Sequence, residues 1–215
     1  LIAVIIYFRN DIVNLTQAWI DSVFVRRNSP ESNLAWFIIL ATIPAGITGL
    51  LLGGIIELHL RSLSVIAFTT IFFGLLLAWA DIRGTGDRGI KQFTWKSALI
   101  IGGAQALALI PGTSRSGVTI TAALALGFDR ETAARFSFLM AIPIITLSGG
   151  LKGIELLGSE SVDWTMIAIG TALSGITAYL CIRLFLKVIQ RIGMMPFVIY
   201  RMCLGALLIY LVVNT

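Results

Sequence analysis

Long apolar runs alternate with short polar connections along this chain. Crossing a membrane core as a helix takes about 20 apolar residues at 1.5 Å rise per residue. Five runs meet that length, two of them with help from interfacial flanks, and they predict membrane-spanning helices at Trp36–Ile56, Val65–Ala80, Ala133–Ser148, Trp164–Phe185 and Phe197–Val213. The polar, partly amphipathic stretch Arg9–Asn33 is predicted to lie along the membrane interface.

A sixth apolar run, Ala98–Gly127, is interrupted by a polar segment that begins at Pro111. Ser97–Ile110 makes about 21 Å of helix and Val118–Gly127 about 15 Å, and neither crosses a core of about 30 Å. Pro111 and the following glycine break the helix between them. We therefore predict a re-entrant hairpin over about residues 97–127. Its tip, residues 111–117, should line a cavity, because irregular backbone at that depth must be buried in protein or meet water.

Composition places the chain among all-α polytopic membrane proteins, folded as one helix bundle over residues 1–215. Of its residues, 57% are hydrophobic and 13% charged, and the mean hydropathy is +0.93; soluble domains are about half apolar and a quarter charged. The net charge of +5 sits in short connections, so we expect no nucleic-acid partner. Cys181 and Cys203 lie inside apolar spans and are interpreted as packing residues.

The distribution of lysine and arginine predicts an orientation. Four segments hold 12 of the 16 basic residues, and the positive-inside rule places them on the cytoplasmic side: Arg9–Asn33, Asp81–Lys96, Phe128–Arg135 and Arg183–Arg191. This arrangement requires the predicted hairpin to enter and leave the membrane on the same side.

The hairpin tip has the chemistry of an anion site. Arg115 offers a planar fork of donors, and Ser114 and Thr119 add hydroxyl groups. Gly112 and Gly117 let the backbone approach a ligand closely. Thr113, between these residues, is predicted to add its backbone groups to the site. Ser116 is predicted to cap a helix that begins near Val118 and presents free N–H groups. The abundance of hydroxyl groups favours phosphate.

The tip residues and two further polar residues, Arg201 and His59, also have structural interpretations. Small and hydroxyl-bearing residues also promote close helix packing in membranes, but packing alone does not explain their gathering at a helix break. Arg201 is predicted to snorkel to the cytoplasmic interface in a structural role. His59, the sole histidine, is interpreted as solvated or interfacial. A serine nucleophile at Ser114 is rejected, because no downstream histidine could activate it.

Three motifs resemble the undecaprenyl-diphosphate phosphatases of the bacitracin-resistance type. They are the segments Gln105–Thr121, with its Pro-Gly-Thr-Ser-Arg-Ser-Gly element, Phe136–Pro143 and Pro196–Arg201. The resemblance implies an enzyme of the bacterial plasma membrane that hydrolyses undecaprenyl diphosphate, recycles the lipid carrier of peptidoglycan synthesis and confers bacitracin resistance. It also implies inverted repeats with two re-entrant hairpins, and a site open to the extracytoplasmic side.

The same resemblance implies roles for the tip residues. Arg115 would hold the diphosphate with help from Ser114, Ser116 and Thr119, and the backbone of Gly112, Thr113 and Gly117 would bind its oxygens. The divalent cation, Mg²⁺ or Ca²⁺, would be held by two glutamates of a second signature that does not occur here. We therefore expect that an N-terminal helix and the first hairpin lie before Leu1, that no metal ligand lies in this chain, and that the 215 residues alone are inactive.

A carrier is the alternative to an enzyme. A transporter or flippase for polyprenyl phosphates needs an anion site and broken helices but no hydrolytic groups, and no carboxylate lies near the tip in the sequence. A phosphatidate-type phosphatase is rejected, because its catalytic histidines are absent. The expected partners are a lipid diphosphate and membrane lipid, and a homo-oligomer is left open.

Overall fold

The structure, a computed structural model, describes residues 1–84, 86–158 and 163–214, and its regular elements are helical. Two short helices open the chain, the second running on into a π-helical turn at Asp21–Val25, and a 3₁₀ turn at Ile90–Gln92 precedes the hairpin. The α-helices are α1 Ile2–Tyr7, α2 Arg9–Ile20, α3 Pro30–His59, α4 Leu63–Arg83, α5 Trp95–Leu107, α6 Arg115–Ala125, α7 Arg130–Leu157, α8 Trp164–Ile192 and α9 Met195–Asn214.

Five of these helices are long and apolar enough to cross a membrane, namely α3, α4, α7, α8 and α9. Each contains one of the five predicted spans, so the assignment to all-α polytopic membrane proteins is confirmed. The predicted interfacial stretch Arg9–Asn33 extends too far at its C-terminal end, because α3 already begins at Pro30. Ser29 caps that helix through a reciprocal pair of hydrogen bonds with Ser32, and proline fits its first position.

The two short helices α5 and α6 form a hairpin whose outer ends meet. Thr94 caps α5, and Phe93 just before it stacks on Phe128 just beyond α6, with ring centroids 4.1 Å apart. Beside them, the Arg88 N–H donates to the Gly127 carbonyl at 3.3 Å. At 1.5 Å per residue α5 is about 20 Å long and α6 about 17 Å, too short for a membrane core. The helix break predicted at Pro111 therefore lies at the inner end of a hairpin.

Helix α6 lies in the centre of the bundle, in contact with α4, α5 and α7. Its inward side chains Val118, Ile120, Ala123 and Leu124 are all buried, and Phe128 and Phe136 complete the core beside them. Because the side chains on and around α6 are closely packed, the first turn of this helix is held in a fixed position.

A buried ion pair joins three helices at the outer end of this hairpin. Asp81, near the end of α4, accepts a hydrogen bond from Arg130 Nε at 2.6 Å and another from the Met194 N–H at 3.0 Å. Its side chain is 4% exposed, whereas that of Arg130 is 38% exposed. The carboxylate therefore fastens α4 to the starts of α7 and α9.

Replacing Asp81 with asparagine should destabilise the protein without touching the hairpin tip. The change leaves Arg130 without its counter-charge, at a cost of about 1–2 kcal/mol, less than for a fully buried pair because Arg130 is partly solvated. The melting temperature in detergent should fall by about 2–8 °C. Asp87→Asn, at an exposed position of the same connection, is the matched control and should leave it unchanged. Equal melting temperatures for Asp81→Asn and the unmodified protein would contradict this role.

Candidate functional site

The hairpin tip turns at a glycine that no other residue replaces without strain. Gly112 has φ +88°, in the left-handed region. A Cβ atom there would lie 2.6 Å from the Ile66 carbonyl oxygen and would overlap the hydroxyl group of Thr69. The tip backbone therefore packs directly against α4, which is possible only because residue 112 has no side chain.

Ser114 adopts a strained conformation at the start of α6. Its φ of +68° is rare for a residue with a side chain. Its hydroxyl oxygen accepts a hydrogen bond from the Gly117 N–H at 3.2 Å and so caps the helix. The predicted cap at Ser116 is wrong, because α6 begins three residues before Val118. The first-turn N–H groups of Arg115 and Ser116 are left without an intrahelical acceptor.

A cavity of about 460 Å³ opens beside this helix end, and we refer to it as the tip cavity. Four tip residues contribute to its lining, and apolar side chains of α4, α8 and α9 form most of the remainder. The lining consists of Ile66, Thr70, Leu77, Gly112, Ser114, Ser116, Gly117, Ile120, Phe185, Met194, Phe197, Tyr200, Arg201 and Leu204. The prediction that the tip lines a cavity agrees with this geometry.

Arg201 of α9 turns inward and holds the tip. Its side chain donates from Nε to the Thr70 carbonyl at 3.1 Å and from Nη2 to the Gly112 carbonyl at 2.9 Å, with a longer bond of 3.4 Å to the Thr69 carbonyl. The hydroxyl group of Thr69 donates to the Pro111 carbonyl at 2.6 Å. We refer to Thr69, Thr70 and Arg201 as the tip clamp. Arg201 is 8% exposed, so the prediction that it snorkels to the interface is wrong.

The structure brings only some of the predicted site residues to the cavity. Gly112, Ser114, Ser116 and Gly117 line it. Thr113 is fully buried, and its hydroxyl group has no hydrogen-bond partner among the described residues.

Thr119 and Arg115, like Thr113, lie outside the lining. Thr119 is 1% exposed, and its hydroxyl group donates to the Arg115 carbonyl at 2.9 Å and lies 2.7 Å from Ser137 Oγ. Arg115 is half-buried, and its side chain forms no ion pair or hydrogen bond with the described residues. Thr119 thus supports the first turn of α6 from behind, and Arg115 is an unpaired cation beside the cavity.

The charge of the tip cavity suits an anion. Its lining includes one arginine and no Asp, Glu, His or Cys. Within the described part of the chain, no group of three or more such residues could hold a metal ion. The described residues therefore offer donors to an anion and supply no ligand set for a divalent cation.

These features define a polytopic helical membrane protein whose cavity suits a molecule with an anionic head and an apolar tail. The chain belongs to the family described as bacitracin resistance protein BacA, whose model matches residues 1–207. It is similar to proteins named undecaprenyl-diphosphatase from Saccharophagus degradans, at 59% identity over 98% of this chain and 79% of that protein, and from Hahella chejuensis, at 59% identity over 99% and 80%. A further relative, undecaprenyl-diphosphatase 1 of Pseudoalteromonas translucida, is 56% identical over 97% and 79%.

Proposed function

We propose that this protein hydrolyses undecaprenyl diphosphate to undecaprenyl phosphate and inorganic phosphate. The name shared by its relatives states this class of substrate. The observation that supports it in this chain is the division of the tip cavity into a polar end, where Arg201 contacts Gly112 and lies near Gly117, and largely apolar walls. Such a division matches a lipid diphosphate, and neither a free nucleotide nor a simple fatty chain would use both ends.

The two ends of the cavity bind the two parts of this substrate. The diphosphate lies against the first turn of α6, where free N–H groups and the positive end of the helix dipole favour negative charge. Ser114 and Ser116 add hydroxyl donors, and Arg115 reaches the head group by a change of side-chain rotamer, which is common on binding. The isoprenoid tail lies along Phe185, Phe197 and the other apolar residues of the wall.

The reaction transfers the terminal phosphoryl group to water. An oxygen from water bonds to the terminal phosphorus while the bond from that phosphorus to the bridging oxygen breaks. Undecaprenyl phosphate leaves with the bridging oxygen, and the water protons pass to the phosphate products or to solvent. Donors fixed around the head group stabilise the charge that develops on the transferred phosphoryl group, and removing one such donor commonly costs about 10²–10³ in rate.

We place the enzyme in the bacterial plasma membrane, with its site open to the extracytoplasmic side. There it would return the lipid carrier to peptidoglycan synthesis, and it would lower the amount of lipid diphosphate available to bacitracin. Dependence on Mg²⁺ or Ca²⁺ stays a proposal drawn from the resemblance. The described lining holds no ligand for the ion, so no step is assigned to it.

Phosphate release from undecaprenyl diphosphate tests the proposal and the metal together. The protein is produced from its natural gene, purified in detergent and assayed with and without EDTA. We expect release that EDTA reduces at least about tenfold and that added Mg²⁺ or Ca²⁺ restores. Lipid that is bound without release of phosphate would contradict the enzyme and favour a carrier. Release that is insensitive to EDTA would contradict the metal alone.

A further inference from the structure

Arg201 carries a buried positive charge that no described residue neutralises. The ion pairs formed by the described residues join other partners, Glu57 with Arg61, Asp81 with Arg130 and Asp11 with Arg135. The lining of the tip cavity around Arg201 adds no carboxylate. Because a buried charge without a counter-ion is costly, this arrangement favours entry of an anion into the cavity.

The three nitrogens of this guanidinium group have different surroundings. Nε and Nη2 donate to backbone carbonyls of α4 and of the tip, as described above. Nη1 forms no hydrogen bond with the described residues. A Cβ atom on Gly117 would lie 3.6 Å from Nη1 and 3.1 Å from Ser114 Oγ. Nη1 therefore faces the first turn of α6, across a space that only a glycine leaves open.

We propose that Arg201 is a direct ligand of the diphosphate, with Nη1 donating to a phosphate oxygen opposite the first turn of α6. The inference rests on the proposed function and adds a residue to that site. Two nitrogens hold the guanidinium plane on carbonyl groups, so the third donor is already oriented before substrate enters. A donor fixed in advance costs little ordering on binding and acts fully on charge that develops during the reaction.

Arg201→Gln, compared with loss of a positive charge elsewhere in the protein, tests whether Arg201 binds the diphosphate directly. The dissociation constant of inorganic pyrophosphate, the probe for the head group, is measured by isothermal titration calorimetry in detergent. We expect it to rise at least about tenfold, a change of about 1.4 kcal/mol, and kcat/KM for phosphate release to fall about 100-fold or more. The control is Arg183→Gln on the exposed side of α8, which should match the unmodified protein in both measurements.

Thr69→Val tests whether Arg201 is a ligand of the diphosphate or only holds the tip in place. The valine removes the hydrogen bond to the Pro111 carbonyl, and Thr69 does not line the cavity. It should lower the melting temperature and weaken pyrophosphate binding clearly less than Arg201→Gln does, because it loosens the tip without removing a donor to the phosphate. Equal losses of affinity in Thr69→Val and Arg201→Gln would overturn the inference, because Arg201 would then act through the tip alone.

Gly117→Ala keeps the inference testable if Arg201→Gln does not fold. The alanine leaves the tip clamp intact and places a methyl group in the space between Nη1 and Ser114. Pyrophosphate affinity should fall at least about tenfold in protein that a melting curve shows to be folded. Unchanged affinity would overturn the inference. A protein that releases no phosphate in its unmodified form would instead refute the proposed function, so the two failures are distinguishable.

Discussion

Arg115→Ala is expected to lower kcat/KM for phosphate release by about 10²–10³ or more while the protein folds normally. Arg115 begins α6 between two residues that line the tip cavity, Ser114 and Ser116. Its guanidinium group has no ion pair or hydrogen bond with the described residues. Removal therefore leaves no buried partner unsatisfied, and a loss of activity would report a lost contact with substrate.

The measurement is the initial rate of phosphate release over a range of lipid concentrations, accompanied by a melting curve. Arg183→Ala, at an exposed position on α8, controls for the removal of a positive charge from the protein. If Arg115→Ala turned over at nearly the normal rate, Arg115 would have no role in holding the diphosphate. Arg201 would then be the arginine that carries this function.

Gly112→Ala is expected to have an effect of similar size for a different reason. A residue with a side chain at φ +88° is strained by about 1–2 kcal/mol, and the new methyl group would also collide with the Ile66 carbonyl and the Thr69 hydroxyl group. The tip must then move away from α4, and its hydrogen bonds with the tip clamp lengthen. A displacement of about 1 Å at a catalytic site can cost about 100-fold in rate.

Gly103→Ala is the matched control for this substitution. Gly103 lies on the exposed side of α5, and a Cβ atom there would meet nothing within 4 Å. It should keep normal activity and slightly favour the helix, because alanine has the higher helix propensity. Normal phosphate release by Gly112→Ala, at a rate equal to that of Gly103→Ala, would show that the close packing of the tip is not needed.

The membrane helices and the helix break could be predicted from the sequence because each depends on local chemistry. A run of apolar residues with the length of a bilayer core defines a span wherever it packs. Pro111 followed by Gly112 ends a helix through the missing N–H of proline and the permissive backbone of glycine. The helix cap is Ser114 and not the predicted Ser116, because Ser114 adopts a positive φ that a local sequence pattern does not reveal.

Contacts between distant residues could not be predicted in this way. Arg201 lies 89 residues from Gly112, and Asp81 lies 113 residues from Met194. Glu131 and Arg135 have the spacing of a helical ion pair, but Arg135 pairs with Asp11, and Glu131 accepts a hydrogen bond from Gln190. Only the packing of helices decides such partners. The available signal for Arg201 in the sequence was a charged side chain inside the last apolar span, a position that indicates a functional role by default.

The central claim is that the diphosphate binds at the polar end of the tip cavity, and photochemical cross-linking tests it most directly. The probe is a polyprenyl diphosphate with a diazirine on the isoprene unit next to the diphosphate, and the labelled residues are identified by mass spectrometry. We predict labelling of the hairpin tip and of Phe197, Tyr200 and Leu204, reduced by excess inorganic pyrophosphate. Labelling confined to the apolar groove that contains Leu15 and Trp19, and unaffected by pyrophosphate, would contradict the account.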